Sequence, residues 1–276
     1  MYKELIKDIK LELSNLTGKN NIFLTRRGNI SIKESLKYVK SRNFKDIFIQ
    51  DQGGWITYPQ FIKKLKLNIV YIKTDYGLIT NKTDIVLNDC ILLFNTMPGY
   101  SFIQNTNIIE SKIKNKKNCL IINDVAGSIG HKQAKWGDII IGSFGKDKPI
   151  NLEKGGFIAT NIKDLNIEEE IFSKEELTLL LSKLKELPKR IEFFNNIHNK
   201  IKEELININM NVNIIHKNIE GINVIIKFNE EDEKIKKEII DYCQKNNYEY
   251  TQCPRYIRIQ ENGISIEVKR LAKETI

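Results

Sequence analysis

Three apolar runs that do not alternate, CILLFN (90–95), CLIIND (119–124) and DIIIGSF (138–144), constrain the fold more than any other feature of the chain. A strand with one face in water alternates apolar and polar residues, so these runs suit strands buried on both faces of a mainly parallel sheet. Between residues 20 and 160 such runs alternate with helical periodicity, the pattern of a sheet covered by helices. NIFLT (21–25), KDIFIQ (45–50) and LNIVYIK (67–73) read as strands. Residues 30–39 read as a helix with Ile32, Leu36 and Val39 on one face, and 59–65 and 106–116 as further helices.

A different section begins at Ser173. Ser173 and Glu176 have the spacing of a capping box, and Leu177, Leu180, Leu181, Leu184 and Leu187 follow at helical intervals. Pro188 is expected to kink or restart this helix, which continues through Ile191, Phe194, Ile201 and Leu205. VNIIH and GINVIIKFN then read as strands, 230–245 as a helix, and YIRIQENGISIEV as a hairpin turning at Asn262 and Gly263. The expected organisation is a large domain over 1–172, a connecting helix over 173–206 and a small α+β domain over 207–276.

With 276 residues, 41% of them hydrophobic, the chain can bury such cores. No apolar run reaches the roughly 18 to 20 residues of a membrane span, and the start, MYKELIKDIKLEL, is amphipathic, so residence in the cytoplasm is expected. The four cysteines, Cys90, Cys119, Cys243 and Cys253, have no CxxC spacing, and His131, His198 and His216 have no ligand spacing; reduced thiols and no metal site are expected. A net charge of +9 suits nucleic acid, an anionic cofactor or a phosphorylated substrate, and alone does not separate them.

Functional groups of open α/β sheets gather at the carboxyl ends of the strands. Four features lie there. TRRGNIS (25–31) is a glycine turn opening a helix, which offers backbone N–H groups at Gly28 and Asn29 to a phosphate, or is simply a capped turn. QDQGGW (50–55) allows close backbone approach and offers Trp55 for stacking, or for packing. Asp124 closes a strand, where it can hold a cation or a protonated ring nitrogen, or cap the small-residue turn after it. GSFGKDKPINLEKGGFI (142–158) brings Ser143, Lys146, Lys148 and Lys154 up to a paired glycine; a lysine amine there can attack a carbonyl, or merely be solvated.

Taken together, DVAGSIG (124–130), SFGKDK (143–148) and GGFIAT (155–160) resemble the fold-type-I pyridoxal-phosphate enzymes, and among them the DegT/StrS-type sugar aminotransferases. The resemblance implies an aspartate-aminotransferase-like large domain with a mainly parallel sheet, pyridoxal 5′-phosphate (PLP) as cofactor, and a homodimer with active sites at the interface. It implies that Lys148, five positions after Ser143, holds the cofactor as a Schiff base and then shuttles a proton, and that Asp124 pairs with the pyridinium nitrogen. Trp55 would stack on the ring, and Gly28, Asn29 and Ser143 would hold the phosphate. Asn95, in NTMPGY (95–100), would reach the 3′ oxygen if it is not simply part of a Pro98–Gly99 turn; Arg258, rather than Arg255, would bind a substrate carboxylate. The family's glutamine and histidine, three and five residues after the aspartate, are replaced here by Gly127 and Ile129.

The function expected on this resemblance is an aminotransferase acting on an amino donor and a keto or keto-sugar acceptor. A PLP-dependent lyase or β-replacement enzyme, on a tRNA-linked substrate for instance, and a non-catalytic binding protein on the same scaffold are the alternatives.

Overall fold

The computed structural model describes residues 2–85, 89–113, 118–207, 212–229, 231–255 and 259–271. The chain opens with helix α1 (Tyr2–Thr17), strand β1 (Asn21–Thr25), α2 (Gly28–Ser41), β2 (Asp46–Gln50), α3 (Thr57–Lys64) and β3 (Asn68–Ile72). It continues through β4 (Ile91–Asn95), α4 (Thr106–Ile113), β5 (Leu120–Asp124), β6 (Ile139–Ser143) and β7 (Gly156–Thr160). The seven strands form one sheet in the order β1-β7-β6-β5-β4-β2-β3, in which only β7 runs against its neighbours.

Burial explains the missing alternation. Every residue of β4 is buried. Ile91 and Leu93 join Ile47, Ile49, Ile122, Ile139 and Ile141 against Ile32, Leu36 and Val39 of α2 and Ile62 of α3. Leu92 and Phe94 point the other way, with Ile121, onto Ile109 of α4. Side chains of period two are therefore apolar on both faces, and the run reads as continuous. On that second face, Ile9 and Leu13 of α1 pack with Ile22, Leu24, Ile140 and Phe157 and with the leucines that follow Ser173.

Those leucines belong to α5 (Lys174–Asn207), a helix of 34 residues and about 51 Å. The capping box forms as its spacing requires: Glu176 N–H donates to Ser173 Oγ at 3.2 Å, and Ser173 N–H to Glu176 Oε2 at 2.8 Å. The expected restart at Pro188 does not occur, because the helix runs through it unbroken. Leu187, Leu184, Leu180 and Leu177 hold one side in the large sheet's core, while Phe194, Ile201 and Leu205 sit in a second core. Packing at both ends outweighs the one hydrogen bond that proline removes.

The second core lies on a four-stranded antiparallel sheet, β10-β11-β9-β8, made of β8 (Asn213–Ile214), β9 (Val224–Lys227), β10 (Tyr250–Cys253) and β11 (Gly263–Ile266). Helix α6 (Glu233–Lys245) covers it with Ile239, Tyr242 and Cys243, and a last short helix, α7 (Val268–Leu271), follows β11. Of the expected hairpin YIRIQENGISIEV, residues 256–258 lie outside the described residues; Gly263, expected in its turn, is the first residue of β11 and pairs with Cys253 of β10. A Cβ there would stand 2.6 Å from the Ile226 carbonyl oxygen, so glycine answers a close approach by β9 and not a turn.

His198 of α5 is 3% exposed, with Nε2 3.1 Å from the Asn223 carbonyl, and burial pushes its pKa down to about 4. The folded imidazole stays neutral where the unfolded one takes up a proton, so stability is complete above the unfolded pKa of 6.5 and declines as pH falls toward 4. Between pH 7 and pH 4 this one group removes about 3 kcal/mol. Urea titrations across that range are expected to show a shallower pH slope for His198→Gln than for the wild type; equal slopes would contradict the assignment.

Candidate active site

Asn95, Asp124 and Ser143 are the last residues of β4, β5 and β6, three adjacent parallel strands, so their side chains emerge at one edge of the sheet. Asn95 and Asp124 are register partners. The chain brings the start of α2 to the same edge through β1, and an isolated bridge joins Arg27 to Gly155. Glycine permits the crossing: a Cβ on Gly156 would lie 2.7 Å from the Gly142 carbonyl oxygen and 2.8 Å from the Gly28 nitrogen. A Cβ on Gly28 would lie 2.7 Å from that of Ser143. The paired glycine and the TRRGNIS turn are thus two sides of one contact.

One pocket results, lined by Gly28, Asn29, Trp55, Asn95, Asp124, Ser143 and Lys148, with Ile32 and Ile141 as apolar wall. Helix α2 begins there with no side-chain cap from Arg27, so its first turn presents backbone N–H groups and the positive end of its dipole to the cavity beside the Ser143 hydroxyl. Trp55 is fixed by donating from Nε1 to Asn29 Oδ1 at 2.9 Å. The Lys148 Nζ lies 5.1 Å from the centre of the Trp55 ring. Asp124 is 5% exposed, and burial raises its carboxyl pKa, against the lowering effect of hydrogen bonds from Tyr58 and from the Ala126 N–H.

The other lysines of the loop are placed differently. Lys154 is exposed and forms an ion pair with Glu176, and Lys146 is exposed. Asp147, next to Lys148, takes a left-handed conformation (φ 61°) and lies 3.4 Å from Arg270 Nε of α7, which ties the lysine loop to the second sheet. Arg258 lies outside the described residues, and Arg255 is exposed. Among the described residues no group of three or more His, Cys, Asp or Glu side chains is placed to hold a metal ion. Cys90 and Cys119, distant in sequence, approach to 3.8 Å at the opposite edge of the sheet, and all four cysteines are free thiols.

Two residues of the site were not legible in the sequence. Tyr58 donates its hydroxyl to Asp124 Oδ2 at 2.5 Å. Pro59 suggests a helix starting at or after it, which leaves Tyr58 in a loop; α3 in fact starts at Thr57, and its first turn aims Tyr58 inward. Gln50, at the end of β2, bridges loops: its Nε2 donates to the Gly77 carbonyl at 2.5 Å, and its Oε1 accepts from Asn95 N–H at 2.7 Å. A single glutamine carries no spacing signal.

The set of donors fits PLP. An uncapped helix start with a hydroxyl suits a phosphate, a buried carboxylate suits a ring nitrogen, an anchored indole suits the ring face, and an amine lies beside it.

Residues 184–276, which include most of α5 and the small sheet, match the model of the MJ1341 family C-terminal domain. No curated protein matches the chain in sequence. Among solved structures it is similar to the E. coli GDP-4-keto-6-deoxy-D-mannose-3-dehydratase with bound hydrated PLP, at TM-score 0.71 and 12% identity, over 95% of this chain and 87% of that one. The 3-amino-5-hydroxybenzoic acid synthase aligns at TM-score 0.72 and 10% identity, over 97% and 86%. A DegT DnrJ EryC1 StrS aminotransferase from Brucella abortus aligns at 0.70 and 12%, over 98% and 86%. None of the described helices is long and apolar enough to cross a membrane. The chain has the α/β fold of the fold-type-I PLP enzymes.

Proposed function

We propose that the protein is a PLP-dependent transferase that moves an amino group from an amino donor to a keto or keto-sugar acceptor. The observation that supports this most is the convergence of Lys148, Asp124 and Trp55 on one pocket that also contains the first turn of α2. When bound, PLP supplies an electron sink for charge developing at the substrate's α-carbon. The chain's own groups do the rest. Gly28 and Asn29 bind the phosphate through backbone N–H, with the Ser143 hydroxyl beside them. Asp124 holds a proton on the ring nitrogen, and Trp55, braced by Asn29, orients the ring and excludes water from one face. Asn95 lines the pocket beside Asp124 and would hold the ring's 3′ oxygen. The Lys148 amine would hold the cofactor and would serve as the base that takes and returns the proton of the substrate α-carbon.

The large sheet with its site (1–172), the linking helix (173–206) and the small sheet (207–276) serve in this reading as cofactor-binding domain, connector and small domain. The active form is a homodimer with its sites at the interface; sedimentation as a monomer at about micromolar concentration would contradict that part.

The direct test of the reaction class is a half-reaction. Protein loaded with PLP and mixed with a panel of amino acids is expected to convert the cofactor to its pyridoxamine form with at least one donor, read from the absorbance spectrum. Retention of PLP with no conversion by any donor would contradict the transferase assignment.

A further inference from the structure

We infer that Tyr58 is the residue that positions the Asp124 carboxylate for the cofactor's ring nitrogen, supplying from α3 the support that Gly127 and Ile129 do not. The inference rests on the PLP reading above. Position 127 has no side chain, and Ile129, 2% exposed, is committed to the apolar core with Leu184 and Leu187. The polar support comes from across the sheet edge. Tyr58 is 1% exposed, and its hydroxyl lies 2.5 Å from Asp124 Oδ2, while Oδ1 accepts from Ala126 N–H at 2.9 Å. Each oxygen of the carboxylate is therefore held by one donor and keeps lone pairs for the pocket.

The direction of the Tyr58 hydroxyl is itself fixed. Asn95 Oδ1 accepts from Met97 N–H at 2.8 Å, which turns the Asn95 amide away from that N–H, and Asn95 opposes the rise of the Tyr58 pKa. A charged Asp124 carboxylate only accepts, so the single phenolic proton goes to its Oδ2. Burial raises the Tyr58 pKa well above the ordinary phenol value, so the proton stays in place and Tyr58 is a permanent donor. Among the described residues, Tyr58 from α3 is the titratable group in contact with Asp124, Lys148 from the loop after β6 lines the same pocket, and Asn95 from β4 and the Ala126 N–H are neutral. Without the tyrosine hydroxyl, the buried carboxylate retains one donor, and its charged form is disfavoured further.

Tyr58→Phe separates this role from packing. In cofactor-free protein, the folded state holds the Asp124 proton to higher pH than the unfolded state, so the charged carboxylate detracts from stability as pH rises. Losing Tyr58 enlarges that loss. The stability gap between wild type and Tyr58→Phe is expected to widen from pH 4 to pH 8, and to be independent of pH when both carry Asp124→Asn. In loaded protein, PLP affinity is expected to fall about tenfold in Tyr58→Phe, the loss of one hydrogen bond to a charged group. Tyr58→His, which keeps a donor, is expected to restore part of it and serves if the phenylalanine variant does not fold. A pH-independent gap together with unchanged PLP affinity would overturn the inference alone. A wild type that does not take up PLP would overturn the PLP reading and this inference with it, while the cofactor-free titrations would still report the Tyr58–Asp124 coupling.

Discussion

Lys148→Ala is expected to yield a folded protein that no longer captures PLP covalently and turns over at least about a thousandfold more slowly than the wild type. The fold is spared because Lys148 is half-buried on a loop, outside the apolar clusters, so truncation lies among substitutions that shift stability by about 0.5 kcal/mol. The chemistry is not spared. In the proposed function the amine over Trp55 is both the anchor and the group that moves the substrate proton, and the neighbouring lysines are not placed to replace it. Lys154 is held by Glu176, and Lys146 is exposed. The proposed phosphate site at the α2 N-terminus does not include Lys148, so the variant is expected to keep non-covalent affinity for PLP. Near-wild-type turnover in Lys148→Ala would contradict the catalytic assignment.

Asp124→Asn is expected to move stability and activity in opposite directions. The amide is isosteric, so its Oδ1 can still accept from one of the two donors, Tyr58 or Ala126 N–H. Burial disfavours the charged carboxylate, as the raised pKa records, and asparagine removes that penalty. The cofactor-free variant is expected to be more stable than the wild type at pH 7, by about 1 kcal/mol. The loaded variant loses a charge opposite the ring nitrogen; at about 4 Å and an effective dielectric of 20 that attraction is roughly 4 kcal/mol, or about a thousandfold in rate. Thermal melts without cofactor and turnover with it check both halves. A variant less stable at pH 7, or one as active as the wild type, would show that the carboxylate is structural.

The sequence made the central strands readable because both of their faces are buried, which turns an alternating pattern into runs such as Ile91–Phe94 and Ile139–Ile141. It did not reveal the direction of β7: at its start Gly156 lets the Gly142 carbonyl and the Gly28 nitrogen come close, Gly142 makes room for the Phe157 ring, and a paired glycine in sequence is equally compatible with a turn. The same ambiguity misplaced the hairpin at Gly263. Of the two effects expected at Pro188, the restart does not occur, since burial on both sides of it keeps the helix continuous. In the site, Lys148, Asp124, Trp55, Ser143, Gly28 and Asn29 were legible as strand-end and turn residues in a spaced set, and the fold brings them to one pocket. Tyr58 and Gln50 were not, because each acts across the sheet edge on a residue far away in sequence.

The central claim is that Lys148 is the covalent anchor of PLP, and one measurement tests it most directly: cofactor-free protein is mixed with PLP, reduced with borohydride, digested, and mapped by mass spectrometry. The expected result is a pyridoxyl group on the peptide carrying Lys148, at that lysine and in near-stoichiometric yield. Label confined to Lys146, Lys154 or scattered surface lysines, or no label at all, would contradict it.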